Sequence, residues 1–162
     1  MKFYITTPIY YVNDRPHIGH VYTTTMADIF ARYHRACGDD VFFLTGTDEH
    51  AAKVVDSATE RGMTTQQWAD QNAKAFQDTF ARLGMSNDDF IRTSQQRHKE
   101  KVQQYVSELM KSGDVYLGDY EGWYDAGQES IYRITRRRSM SSSRRSTASR
   151  WYGKKRATTF SN

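Results

Sequence analysis

The stretch RPHIGHVY at residues 15–22 sets two histidines, His17 and His20, three residues apart around Gly19. Imidazole donates hydrogen bonds to phosphoryl oxygens, and a glycine between the pair lets a flat ligand approach the backbone with no side chain in the way. A second candidate set is TDEH at 47–50, where Asp48, Glu49 and His50 follow a short apolar run. Three readings fit these residues. The pair can stabilise charge on a phosphate chain. His17, His20 and His50 with nearby carboxylates can offer metal ligands, although H-x-x-H in a glycine turn lacks the helical i, i+4 geometry of well-formed zinc motifs. In the third reading the histidines are loop residues without a role.

The elements around these residues decide where they can meet. KFYIT at 2–6 has strand composition and runs into a Pro/Asn/Asp-rich loop that ends at His20. From Val21 the pattern turns helical, with Met26, Ile29, Phe30, Tyr33 and Cys37 at helical spacing and Gly38 as the stop. VFFLTG at 41–46 suits a buried parallel strand. Helices are predicted over about 49–61 and 65–83, closed by Gly62 and Gly84; the second carries Trp68, Phe76, Phe80 and Leu83 on one stripe, with its aromatics read as core. FIRTS at 90–94 reads as a further strand and HKEKVQQYVSELMKSG at 98–113 as a further long helix capped by Gly113. DVYLGDYEGWYDAG at 114–127 predicts a small antiparallel hairpin outside the main sheet. Strands alternating with helices give an α/β fold with an open, mostly parallel sheet. Ligands of such sheets bind beyond the carboxyl ends of the strands, and the first strand-to-helix turn, here RPHIGH, is the favoured place. The helix that starts there turns its free N–H groups and positive dipole end toward the same crevice, which suits an anion.

A chain of 162 residues with 38% hydrophobic content suits one domain of ordinary size. The net charge of +4 conceals a division at Glu129: residues 1–129 carry 13 Lys and Arg against all 19 acids, and residues 130–162 carry the other 10 bases and no acid. The basic character therefore belongs to the tail and is no nucleic-acid footprint of the domain. One cysteine, Cys37, excludes an internal disulfide and a multi-cysteine zinc knuckle. No signal-like segment or apolar run of membrane-spanning length is present, so a soluble, cytoplasmic protein is expected.

The segment TTPIYYVNDRPHIGHVYTTTMADIFARYHRACGDDVFFLTGTDEH closely resembles the start of the methionyl-tRNA synthetases, class I aminoacyl-tRNA synthetases, including their HIGH signature at His17, Ile18, Gly19 and His20. The likeness continues through YEGWYDAGQE and covers about 129 of the 162 residues. It implies ATP-dependent activation of methionine to methionyl-adenylate, then transfer to tRNA, with ATP and its Mg2+ as co-substrate and methionine and tRNA as partners. It implies catalytic and ATP-binding roles for His17 and His20, an ATP-binding role for Gly19, and a methionine site at Pro8, Ile9, Tyr11 and Asp48, with Asp48 on the substrate ammonium. Asp48 can equally be a helix N-cap. The fold implied is the first half of a Rossmann-type catalytic domain over 1–115, then the start of a connective insertion over 116–129, then a basic tail over 130–162.

The sequence departs from the family in its second half. The KMSKS signature is missing; SMSSS at 139–143 lacks both lysines and comes too early. No zinc cysteines occur where some members carry them, so no zinc is expected. The tail reads as a disordered basic arm, and a truncated, non-enzymatic module that binds RNA through it is the alternative. With free choice of synonymous codons, residues 139–162 can be respelled in another frame as an acid-containing continuation that ends NYFFK. The tail is thus expected to be a frameshift product without a selected role. The chain alone is expected to be inactive in methionine-dependent ATP–pyrophosphate exchange, and exchange above background would refute this.

Overall fold

The computed structural model describes residues 1–125, 130–133 and 151–161, with side chains through Tyr116. The chain divides into two compact units, Met1–Lys101 and Val102–Asn162. In the first unit β1 (Lys2–Thr6) pairs in parallel with β3 (Asp40–Asp48) from Lys2 opposite Asp40 to Thr6 opposite Leu44. Pro8, which has no N–H to donate, interrupts the ladder. The chain rejoins β3 as β2 (Tyr10–Tyr11), with Tyr10 opposite Thr47 and Tyr11 opposite Asp48. On the other side of β3 lies β4 (Asp89–Arg92), also parallel, from Leu44 opposite Asp89 to Thr47 opposite Arg92. β3 runs two residues beyond the predicted apolar run because both neighbours pair with its carboxyl end.

Three helices belong wholly to this unit: α1 (Ile18–Ala36), α2 (Ala52–Glu60) and α3 (Thr65–Arg82). α1 starts inside the HIGH motif rather than after it, because His17 itself caps the helix. Its buried face is Thr24, Ala27, Asp28 and Ala31. The two alanines pack on Phe43, with Ile5 and Val41 alongside; small side chains let the helix lie close to the sheet. The predicted apolar stripe lies instead outside, with Met26, Ile29, Phe30 and Tyr33 exposed. Polar bonds fix the helix to the loop before β4. Asp28 accepts from the backbone and hydroxyl of Ser86, both at 2.6 Å, and from Arg32 Nε at 2.6 Å. Arg35 reaches Asp88, whose Oδ2 also accepts the Phe43 N–H at 2.7 Å.

α2 begins at Ala52 rather than near 49, because the N–H groups of Glu49 and His50 are taken by the side chains of Thr93 and Asp48. α3 is capped by Thr64 and Gln67 in a reciprocal capping box. Trp68, Phe76 and Phe80 are core, as predicted. Trp68 packs with Val12, Val54 and Ala58, and the two phenylalanines pack with Tyr10. Leu83, the C-cap of α3, is exposed.

The main sheet matches the parallel α/β expectation. The remaining elements are α4 (Gln96–Ser112), which crosses the division between the units, and a second sheet. In that sheet β5 (Tyr116–Asp125) lies between β6 (Ser130–Arg133) and β7 (Trp151–Ser161), both antiparallel to it. The stretch expected as a small antiparallel hairpin outside the main sheet does lie in a separate antiparallel sheet, but as one strand rather than two. Its ladder with β7 shifts register between Gly122 and Tyr124, where two residues of β7 oppose one of β5. β6 and β7 take strand geometry where tail composition suggests an arm without a fold. A ladder needs only backbone N–H and C=O groups, which a Ser- and Arg-rich segment also carries. SMSSS at 139–143 and the rest of 134–150 lie outside the described residues.

One glycine in the main sheet tests the arrangement. A Cβ on Gly46 would come within 2.0 Å of the Ile91 carbonyl oxygen, so β3 and β4 can pair in this register only with glycine there. Gly46→Ala should cost several kcal/mol or prevent folding. Gly38→Ala, at φ 81° with open space around it, should cost about 1–2 kcal/mol. Urea unfolding of the two variants checks the ranking, and equal losses would contradict the register.

Candidate active site

The turn from β2 to α1 is organised by the two histidines. Nδ1 of His17 accepts the Gly19 N–H at 3.1 Å, and Nδ1 of His20 accepts the His17 N–H at 3.1 Å. A ring nitrogen that accepts a hydrogen bond carries no proton, so each neutral ring holds its proton on Nε2. Neither Nε2 has a partner among the described residues. The rings stack with centroids 3.8 Å apart and planes inclined by 28°. A Cβ at Gly19 would sit 2.9 Å from Cε1 of His17, so any larger residue there would push on that ring.

Behind the pair stands an aromatic wall. Tyr10 meets the His20 ring edge-on at 4.8 Å, and Phe76 of α3 does so at 4.9 Å. The Tyr10 hydroxyl bonds Thr24 of α1 at 3.0 Å. Burial against this wall lowers the His20 pKa below its ordinary 6.5, and the adjacent His17 lowers it further. His20 is therefore a neutral donor at pH 7.

The cleft in front of the pair is open and measures about 460 Å³; its walls include Ile9, Tyr10, Tyr11, Arg15, His17 and His20. The structure thus brings His17 and His20 together with Ile9 and Tyr11, with Gly19 directly under the His17 ring. Pro8 is exposed just before them. Asp48 ends β3 as the ladder partner of Tyr11 but is not among the residues lining this cleft. Its Oδ1 accepts the His50 N–H at 3.1 Å, and its Oδ2 accepts no hydrogen bond among the described residues. Among the described residues no three His, Cys, Asp or Glu side chains gather as metal ligands.

Beside Asp48 lies a network the sequence did not disclose. Glu49 is buried and ionised: its carboxylate accepts from Arg92 Nε at 2.6 Å and Nη2 at 3.0 Å, from Thr47 at 2.9 Å and from Ser94. Burial alone would raise its pKa, but these donors outweigh burial and hold it below the ordinary value. Arg92 in turn bridges to Asp70 on α3. Arg15 at the cleft rim was also missed; its one available signal was a cation beside the HIGH turn. Tyr10 was missed because its neighbours in space, His20 and Phe76, lie 10 and 66 residues away in sequence.

A parallel sheet whose first crossover begins with a histidine-capped helix, and whose cleft opens at the strand ends, defines a class I tRNA synthetase nucleotide fold. The family model described as tRNA synthetases class I (M) matches residues 3–137, and the chain belongs to that family. The methionine–tRNA ligase of Listeria monocytogenes is 51% identical over 133 residues, which are 82% of this chain and 20% of that protein. That of Thermotoga maritima is 54% identical over 124 residues, 76% of this chain and 20% of that protein. The structure of Mycobacterium tuberculosis methionyl-tRNA synthetase in complex with methionyl-adenylate superposes with a TM-score of 0.85 at 34% identity, covering 98% of this chain and 31% of that one. The chain thus spans about a fifth of the length of these curated relatives. No helix among the described residues is long and apolar enough to cross a membrane.

The lowered His20 pKa has a consequence for stability. The unfolded chain binds this proton more tightly than the folded one, so the His20 contribution is complete above about pH 6.5 and is lost as pH falls through the folded-state value. Urea unfolding of the full chain between pH 7.5 and pH 5.5 should show this fall, and His20→Asn should flatten it. An unchanged pH profile in the variant would contradict the assignment.

Proposed function

We propose that this chain supplies the adenylate-forming half-site of a methionine–tRNA ligase, which activates methionine with ATP before transfer to tRNA. His17 and His20 are the catalytic residues and, with Gly19, the ATP-binding ones. The observation that carries the reading is the direction of the two imidazoles: both Nδ1 atoms face the backbone, so both Nε2–H groups are free to donate. The methionine carboxylate is ionised at neutral pH and attacks the α-phosphate without a general base. The new bond joins carboxylate oxygen to phosphorus, and pyrophosphate leaves with the electron pair of the broken P–O bond. The protein's part is alignment and stabilisation of charge on the phosphoryl oxygens.

Imidazole Nε2–H donors pre-set by a helix cap suit that part, since they need no reorganisation as charge develops. Arg15 adds a cation at the rim of the same cleft. Ile9, Tyr11 and Pro8 would receive the methionine side chain, and Asp48, with one carboxylate oxygen free, would accept the ammonium. Mg2+ would arrive with ATP and neutralise phosphate charge. The printed names of the relatives and the bound adenylate of the Mycobacterium tuberculosis structure support the substrate choice. Transfer to tRNA and a cytoplasmic setting are part of the same proposal, supported by the same kinship.

The test is a chimera in which residues 1–129 replace the matching segment of the Listeria monocytogenes ligase. It should catalyse methionine-dependent ATP–pyrophosphate exchange. His17→Ala and His20→Ala should each lower kcat by about 10²-fold or more, roughly 3–4 kcal/mol, with a smaller effect on methionine binding. Asp48→Ala should mainly raise the methionine KM. Histidine variants that lost a stoichiometric metal instead would turn the reading to a metal site.

A further inference from the structure

The Asp48 carboxylate stands at the end of a strand where the ladder has stopped, and the His50 N–H at 3.1 Å is only one of the two donors on its Oδ1. The chain just past β4 lies against it. Thr93 Oγ1 accepts the Glu49 N–H at 2.8 Å, and its own proton is directed to Asp48 Oδ1 at 3.5 Å. Thr93 also donates its N–H to the Thr47 carbonyl at 3.2 Å, and its carbonyl lies 3.3 Å from His50 Nε2. One threonine therefore touches each of residues 47–50.

Its own position is fixed from both sides. Arg92 before it and Ser94 after it bond the same buried Glu49 carboxylate. The Glu49 bond also holds the Arg92 guanidinium above its ordinary pKa, so the clamp stays charged throughout the physiological range. The result is a carboxylate with Oδ1 tethered and Oδ2 open.

We propose that Thr93 is a positioning residue of the ammonium subsite: clamped by Arg92 and Ser94 on Glu49, its hydroxyl ties Asp48 Oδ1 and leaves Oδ2 to meet the substrate cation. This rests on the reading of Asp48 given above. A hydroxyl is needed because it must accept from the Glu49 N–H and donate to Asp48 at once. Valine has the shape of threonine and can do neither.

Two measurements on Thr93→Val and Thr93→Ser test it. In the 162-residue chain, hydrogen exchange at the Glu49 amide should speed up in Thr93→Val and stay near the parent rate in Thr93→Ser. In the chimera, Thr93→Val should raise the methionine KM about tenfold with kcat within about threefold, and Thr93→Ser should restore the parent KM. Equal losses in both variants, or a fall in kcat at constant KM, would overturn the positioning role. Unchanged Glu49 protection in Thr93→Val would overturn the Glu49 bond that orients the Thr93 hydroxyl, and with it the proposal. A parent chimera without exchange activity, with the tether intact in the chain, would remove the ammonium as its purpose and sink the functional reading separately.

Discussion

The reciprocal hydrogen bonds of His17 and His20 are the constraint on which the rest of the site depends. They satisfy two backbone N–H groups at a helix start, the usual work of a Ser, Asp or Thr cap. Here the capping groups are imidazoles, which have a second nitrogen left over. Capping consumes Nδ1 and so fixes the tautomer, the ring plane and the direction of Nε2–H together. The stacked rings, 3.8 Å apart, cannot both be charged without repulsion, and the wall of Tyr10 and Phe76 adds a desolvation cost to charging His20. The same contacts that begin the helix therefore direct two Nε2–H donors outward, and His20 is neutral at physiological pH.

The strand ends show a comparable economy. β3 is the centre of the sheet, and its carboxyl end is gripped by β2 on one side and β4 on the other. Beyond the ladder, side chains take over from backbone: Glu49 collects Arg92, Ser94 and Thr47, while Thr93 collects Glu49 and Asp48. A buried carboxylate is costly unless it is fully paired, and Glu49 is saturated with donors. Its neighbour Asp48 has both of its donors on Oδ1 and none on Oδ2 among the described residues. Gly46 makes the arrangement possible by letting β4 approach β3 closely.

Much of this was legible in the sequence, and for identifiable reasons. The strand-to-helix placement of HIGH follows from KFYIT and the helical spacing after Val21, and the motif itself is specific enough to carry kinship. The core roles of Trp68, Phe76 and Phe80 follow from periodicity. The buried face of α1 was not legible, because alanine, threonine and aspartate pack there while the larger apolar residues face outward. The Glu49–Arg92 clamp joins residues 43 apart through side chains, with no local pattern to announce it. Helix limits moved where side chains, rather than composition, consumed the N–H groups, as at His17 and Glu49. β5 is a single strand whose partners, β6 and β7, come from later in the chain, where composition gave no strand signal. Strand geometry at β6 and β7 reflects a backbone capacity on which composition is silent.

The most direct test of the central claim is the protonation pattern of the two rings at neutral pH. Long-range 1H–15N correlation spectra of the 15N-labelled full chain at pH 7.5 distinguish a protonated from an unprotonated ring nitrogen. The result expected is Nε2–H with an unprotonated, hydrogen-bonded Nδ1 in both His17 and His20. A proton on Nδ1 of either ring, or a doubly protonated ring at that pH, would contradict the account, because the helix cap and the outward-facing donors would then both be lost.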